Sequence, residues 1–217
     1  MDADAWNARY SGTELVWGTE PNRFVAAELA DLPPGRALDV ACGEGRNAIW
    51  LAGRGWQVTG VDFSAAGLDR AMRLAAGAGV ADRVSFQLGD VVTGPLPAGP
   101  FDAVVVAYLQ LEGPRRRAAL RLAAAAVAPA GTLLVVGHDT TNLTEGSGGP
   151  QDPQRLFSPE DVTADLAGLP GLVVEKAERV RRPVPAAGRD AIDALVRVRR
   201  EPQPAHQSGA GRTRQDA

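Results

Sequence analysis

The sequence predicts an α/β fold: a doubly wound, mostly parallel seven-stranded sheet with an antiparallel edge hairpin and helices on both faces. Three observations predict it. Over residues 36–139, short apolar runs alternate with helix-like segments, the pattern of a parallel sheet with crossover helices. Ala103-Val-Val-Val-Ala107 is continuously apolar, as suits a central strand covered on both faces. Leu172 to Arg182 and Ala191 to Arg199 read as two strands with Pro183 to Gly188 between them, and so short a connection implies an antiparallel pair.

The elements follow in order. Trp6, Tyr10 and Trp17 stand out of an otherwise polar stretch. Glu20-Pro21-Asn22 opens a helix with Pro in its first turn, running to about Leu32 and stopping at Pro33-Pro34-Gly35. Arg36 to Cys42 is the first strand, and Asn47 to Arg54 a helix ended by Gly55. Trp56 to Asp62 is the second strand, and Ser64 caps a helix reaching Gly77. Arg83 to Leu88 and Phe101 to Leu109 are strands, and Pro114 to Val127 is a helix. Gly131 to Asp139 is the fifth strand, followed by a long polar, Gly-rich loop over residues 140–157. Ser158-Pro-Glu-Asp161 opens one more helix with the spacing of a capping box. Residues 1–35 are expected to form a helical cap or lid, 36–200 one α/β domain, and 201–217 a disordered tail rich in Pro, Gln, Ser, Gly and Arg. Trp50 and Trp56 are assigned to the core, and Arg115-Arg-Arg117 to a solvated helix face.

With 217 residues, 45% of them hydrophobic, the chain can bury one sizeable core. The net charge of −3 gives no electrostatic reason to expect nucleic acid as a partner. Lys176 is the sole lysine, so the abundance of arginine reflects composition more than function. The one cysteine, Cys42, excludes a disulfide within the chain and fits a reducing cytoplasm. The acidic start, Met1-Asp-Ala-Asp-Ala-Trp6, lacks the apolar region of a signal peptide, and no apolar stretch is long enough to span a bilayer. The expected protein is soluble and cytoplasmic, a monomer or homodimer, without membrane or nucleic-acid partners.

In a doubly wound sheet, ligands bind beyond the carboxyl ends of the strands, near the point where strand order reverses. The polar residues of interest fall there: Asp39 to Asn47, Asp62, Asp90, Tyr108 to Glu112, and His138 onward. Gly43-Glu-Gly45-Arg-Asn-Ala48 has the spacing of a nucleotide-binding turn, and Asp62 follows about twenty residues on, where a carboxylate meets ribose hydroxyls. Both a nicotinamide dinucleotide and S-adenosylmethionine carry such a ribose. The charges separate them. A pyrophosphate on this turn would be repelled by Glu44, and has no evident use for Asp39 inside the strand. A sulfonium cofactor has no phosphate, and its ammonium favours acidic surroundings.

Leu38-Asp-Val-Ala-Cys-Gly-Glu-Gly45 resembles motif I of the class I S-adenosylmethionine-dependent methyltransferases, and Gly60-Val-Asp-Phe-Ser64 resembles their motif II. Gly45-Arg-Asn-Ala48 and the upstream Trp-containing segment are similar to the tellurite-resistance and thiopurine methyltransferase-like group. The resemblance covers about residues 1–200 at fold level and implies a Rossmann-like sheet with S-adenosylmethionine as cofactor. It implies a cofactor site of Asp39, Ala41, Cys42, Gly43, Gly45, Asn47, Asp62 and Phe63, with Gly89, Asp90 and Val91 by the adenine. Ala41 departs from the family's usual first glycine, a change that a mildly constrained turn tolerates. Trp6, Tyr10 and Trp17 either roof the sulfonium, through the attraction of aromatic faces for cations, or staple the N-terminal segment to the core.

Cys42 has no paired general base and reads as a small packed side chain. Tyr108 follows the fourth strand, where many methyltransferases carry substrate-facing residues, and His138 ends the fifth, either as a satisfied, non-catalytic histidine or as the one well-placed candidate for a general base. His206 lies in the tail. No His, Cys or Asp cluster has metal-ligand spacing, so no metal is expected. The sulfonium supplies the electrophile, and positioning supplies most of the acceleration. Soft acceptors such as thiols or chalcogen oxyanions need little help from a base. The expected activity is methyl transfer to a small molecule. The alternatives are a nicotinamide-dependent oxidoreductase and a non-catalytic S-adenosylmethionine-binding protein.

Overall fold

Two apolar clusters, one on each face, enclose a single seven-stranded sheet in the computed structural model, which describes residues 3–184 and 187–202. The expected disordered tail lies almost wholly outside the described residues. The strands are β1 (Arg36–Val40), β2 (Gln57–Asp62), β3 (Val84–Leu88), β4 (Phe101–Ala107), β5 (Val127–His138), β6 (Leu172–Arg182) and β7 (Ala191–Arg200), in the order β3-β2-β1-β4-β5-β7-β6. The first five are parallel, and β7 inserts antiparallel between β5 and β6. Strand order reverses between β1 and β4, so the ligand crevice belongs above their carboxyl ends.

The helices are α1 (Ala3–Tyr10), α2 (Arg23–Leu29), α3 (Arg46–Gly53), α4 (Ala65–Gly77), α5 (Gly113–Ala125), α6 (Asn142–Glu145) and α7 (Pro159–Leu166). One cluster gathers Val25 of α2, Leu51 of α3 and Ala75 of α4 against Ala103 and Val105 of β4. The other gathers Leu120 of α5 and Val162 of α7 against Val104 and Val106 of the same strand. Alternate residues of β4 therefore face opposite cores, which explains its unbroken apolar run. No helix among the described residues is long and apolar enough to cross a membrane.

Several elements differ from the sequence reading. α1 was not singled out as an element: its apolar face is only Trp6 and Tyr10, and it is held by tertiary contacts, with Asn7 Oδ1 accepting from the Ser64 hydroxyl at 2.7 Å and the Ala66 N–H at 3.2 Å. α2 starts at Arg23, because Asn22 caps it by accepting from the Phe24 and Val25 N–H groups, so Pro21 stays outside the first turn. β1 stops at Val40, because Ala41 takes a left-handed φ of 57°. β5 begins at Val127, four residues early, and its pairing with β4 shifts register before Thr132. The 140–157 segment is not simply loop. It contains α6 and a single 3-10 turn, Pro153–Arg155, capped by Asp152. The Ser158–Asp161 capping box is complete, each side chain accepting from the other's backbone N–H.

Arg115 and Arg117 of the arginine triplet are exposed, as expected of a solvated face, but Arg116 is not. Arg116 is buried, with its Nε 2.7 Å from Asp165 Oδ2, and Arg117 Nε lies 3.0 Å from Oδ1 of the same carboxylate. Together they clamp α5 to α7. Trp56 is core as expected, whereas Trp50 is half-buried under the Arg54 guanidinium.

Candidate functional site

The turn after β1 is built from three consecutive constraints. Ala41, Gly43 and Gly45 all have positive φ, at 57°, 54° and 77°. A Cβ at Gly45 would stand 2.9 Å from Ala71 and Phe86, and one at Gly43 would stand 2.5 Å from the Tyr10 hydroxyl. Glycine is required at both by conformation and by space. Ala41 meets the same conformational demand with a side chain, which corrects the expectation of a mild constraint. Ala41→Gly is therefore expected to raise stability by up to about 1 kcal/mol, the left-handed penalty less the added flexibility of the unfolded chain. A chemical-denaturation midpoint below wild type would contradict this.

Asp62, at the end of β2, is buried and accepts from the Gly43 N–H at 2.8 Å and the Ser64 N–H at 2.9 Å. Burial raises its carboxyl above the ordinary value, against the opposing pull of these N–H groups. Asp39 is buried below the turn and accepts from the Ala48 N–H at 3.1 Å, so it caps α3, whose Gly45 cap has no side chain to do so. Burial pushes Asp39 up to about 7, with the Ala48 N–H and Arg46 pulling the other way.

Glu44 does not do what its position in the turn suggested. It is buried, and its carboxylate accepts from the N–H groups of Val16 and Trp17 and pairs with Arg70 at 2.8 Å. It fastens the N-terminal segment and is not available to a ligand ammonium. Asn47 is also committed: its Oδ1 accepts the Asn22 N–H at 2.9 Å, which ties the start of α2 to α3. Arg46 is half-buried. It donates to the Trp17 carbonyl at 3.2 Å and lies 5.8 Å from the Trp17 ring centre, leaving its other N–H donors without a protein acceptor among the described residues. Cys42 is buried, its thiol pushed well up by that burial, and it packs over Gly60.

The third expected cluster is mixed. Gly89 donates to the Asp62 carbonyl at 3.0 Å. Asp90 accepts from the Val92 N–H and the Thr93 hydroxyl, an ordinary turn-forming use of aspartate, and Val91 is core. Phe63 is half-buried beside Asp62. The N-terminal aromatics do come together: Trp6 stacks on Tyr10 at 5.3 Å, and the Trp17 indole N–H donates to the Tyr10 hydroxyl at 3.2 Å. Tyr10 itself is buried against Gly43 and Gly67. The cations already on this cluster are Arg9, over Trp6 and Trp17, and Arg46.

A second cluster lies beside the turn, above β4, β5 and β7. Tyr108, at φ 59°, donates its hydroxyl to Asp193 Oδ2 at 2.7 Å and accepts from Arg182 Nε at 3.1 Å and Asn22 Nδ2 at 3.3 Å. Burial pushes the Tyr108 phenol well up, helped by the Asp193 charge. His138 Nδ1 stands 3.1 Å from Asp193 Oδ1, at hydrogen-bond distance but off the N–H axis, and its ring centre is 5.0 Å from that of Tyr108. The sequence reading had Tyr108 and His138 but missed Asp193, Arg182 and Asn22. One signal was present: Asp193 interrupts the apolar run Ala191-Ile-Asp-Ala-Leu-Val196, and a charge buried in a strand needs a partner. Among the described residues, no group of three His, Cys, Asp or Glu side chains converges to hold a metal. Two shallow depressions, one lined by Arg36, Gln57 and Asp82 and one by Pro34, Trp56 and Thr132, lie at the opposite ends of the strands and gather no comparable chemistry.

Comparison with known proteins agrees with this geometry. Residues 37–131 match the family model described as a methyltransferase domain. A probable chloroplastic tocopherol O-methyltransferase of Oryza sativa subsp. japonica is 34% identical over 115 residues, 52% of this chain and 32% of its own length. The chain spans a third to a half of the length of the curated relatives it matches. A solved structure described by the conversion of a disulfide bond into a thioacetal group during echinomycin biosynthesis superposes with a TM-score of 0.70 at 26% identity, covering 92% of both chains. TehB of Haemophilus influenzae has the same fold, with a TM-score of 0.68 at 16% identity over 92% of this chain and 67% of its own. The turn at Gly43, the carboxylate at Asp62 and the strand order all fall inside or around the segment that matches the methyltransferase domain.

Proposed function

We propose that this protein transfers a methyl group from S-adenosylmethionine to a small molecule, and that it belongs with the tellurite-resistance and thiopurine methyltransferase-like group. The observation that carries the reading is Asp62, held by two backbone N–H groups at the end of β2, directly beside the glycine turn. Each carboxylate oxygen keeps a second lone pair for a ribose hydroxyl. Arg46 and Asp39 offer opposite charges next to the turn, which suits the carboxylate and ammonium of an amino-acid-bearing cofactor. Gly89, Asp90 and Val91 border the adenine, with the backbone contributing more than the side chains. The backbone of Ala41, Cys42 and Gly43 follows the ligand, and Phe63 flanks the ribose.

The bound cofactor supplies an electrophilic methyl group on sulfur. The chain's own residues hold the acceptor in line and keep water out. Residues 3–22 lie over the turn as a lid, fastened through Glu44, Arg70 and Asn7. Tyr108 and His138 face the acceptor, with His138 as general base.

Calorimetry with S-adenosylhomocysteine tests this, with NADH as the contrasting ligand. Binding of the homocysteine compound is expected; heat with NADH alone would overturn the cofactor assignment. The same titration reads Asp39. Its folded value of about 7 lies above the unfolded value, so the folded chain keeps a proton between roughly pH 4 and 7, and stability falls as pH rises through that window. A ligand ammonium favours the ionised form. Binding near pH 7 is therefore expected to release a proton, seen as a buffer-dependent heat, and to tighten as pH rises.

A further inference from the structure

His138 and Asp193 are direct partners across the antiparallel β5–β7 ladder. Asp193 is fully buried, and the His138 side chain is only 12% exposed. His138 Nδ1 and Asp193 Oδ1, 3.1 Å apart, have no other partner among the described residues, so each is orphaned unless one proton bridges them. The second oxygen of Asp193 is saturated by the Tyr108 hydroxyl and Arg182 Nε. Burial alone would raise this carboxyl, but His138, Tyr108 and Arg182 together hold it below the ordinary carboxylate value.

Resting on the methyltransferase reading, we propose that Asp193 is the positioning residue of a His138 general base, and that the acceptor is a protic nucleophile, a hydroxyl or thiol. An Nδ1 proton held by Asp193 Oδ1 leaves the lone pair on Nε2, which has no partner among the described residues. As the acceptor's lone pair forms its bond to the methyl carbon, the carbon–sulfur bond breaks with its electrons on sulfur, and the acceptor proton passes to Nε2. No oxidant or reductant enters. An oxyanion without a proton has no use for this pair.

The surroundings contain no second base. Gly149 lies flat on the ring, where an added Cβ would be 2.8 Å from two ring carbons, and the 146–150 segment brings no charge. From the end of β4 come Tyr108 and Gln110, which accepts the His138 backbone N–H. Arg182 of β6 acts through Asp193. Asp139, next in the chain, is engaged by Arg179 and Thr141.

The chain has two histidines, His138 and His206, so imidazole nitrogen NMR on the full-length protein gives two sets of signals that His138→Gln assigns. The wild-type His138 ring is expected as the Nδ1–H tautomer. In Asp193→Asn the tautomers are expected to mix, while Asp193→Glu restores the Nδ1–H form in part. Homocysteine-compound binding reports on the folding of each variant. A ring protonated at Nε2, or a tautomer that Asp193→Asn leaves unchanged, overturns the positioning role. Tellurite methylated at a rate unchanged by His138→Gln overturns the protic acceptor. Failure of the wild type to bind S-adenosylhomocysteine instead sinks the methyltransferase reading, and leaves the tautomer result standing.

Discussion

Asp62→Ala is expected to weaken S-adenosylhomocysteine binding by about 10- to 100-fold, the loss of a charge-assisted hydrogen bond to ribose. It also removes the acceptor of two buried N–H groups, those of Gly43 and Ser64. Each orphaned donor costs about 1–3 kcal/mol, so stability falls by about 2–4 kcal/mol once partial access of water is allowed. Asp62→Asn separates the two effects. Its amide oxygen still accepts from one N–H, but its NH2 faces the other, and the anion is lost. Affinity should then fall nearly as far while part of the stability returns. Calorimetry and urea denaturation measure the two quantities independently. An alanine variant with wild-type affinity would remove Asp62 from the cofactor site.

Glu44→Ala is the second large effect, expected at about 3 kcal/mol. The substitution leaves the Val16 and Trp17 N–H groups and the Arg70 guanidinium without their shared carboxylate. Removing one partner of a buried ion pair costs about 3–5 kcal/mol in general. The lower figure applies because Arg70 keeps the carbonyls of Gly12 and Glu14. The damage should be local. Limited proteolysis within residues 11–20 should precede global unfolding, and ligand affinity should fall as Tyr10 loosens over Gly43. Equal cleavage rates in the variant and the wild type would show that the segment is held by other contacts.

Much of the fold was legible in the sequence because its signals are local. The Ala103–Ala107 run, the Ser64 and Ser158 caps and the close spacing of the last two strands each act within a few residues. The errors come where distant contacts decide. α1 has only Trp6 and Tyr10 for an apolar face, and Gly43 and Gly67, against which Tyr10 packs, lie far along the chain, like the Ser64 that Asn7 reaches. Arg116 of the arginine triplet is buried because Asp165, some fifty residues on, pairs with it. The site follows the same division. The glycines and Asp62 belong to one strand–turn–helix and its neighbour, so spacing finds them. Glu44 was misread because its partners come from the N-terminal segment, which the motif says nothing about. Asp193 was missed because its pairing with His138 is a matter of strand register across 55 residues of sequence, and no local pattern encodes register.

The manner in which residues 12–17 are held has a further consequence. Arg70 grips the carbonyls of Gly12 and Glu14, Glu44 the N–H groups of Val16 and Trp17, and Arg46 the carbonyl of Trp17. Every one of these bonds ends on main chain. Short of Trp17, whose ring is itself engaged, the anchorage is therefore indifferent to which side chains the segment carries, and Thr13, Glu14 and Leu15 can drift without unfastening it. Such a segment is a place where acceptor preference can diversify during evolution, or be exchanged by design, while the cofactor machinery beneath it stays fixed.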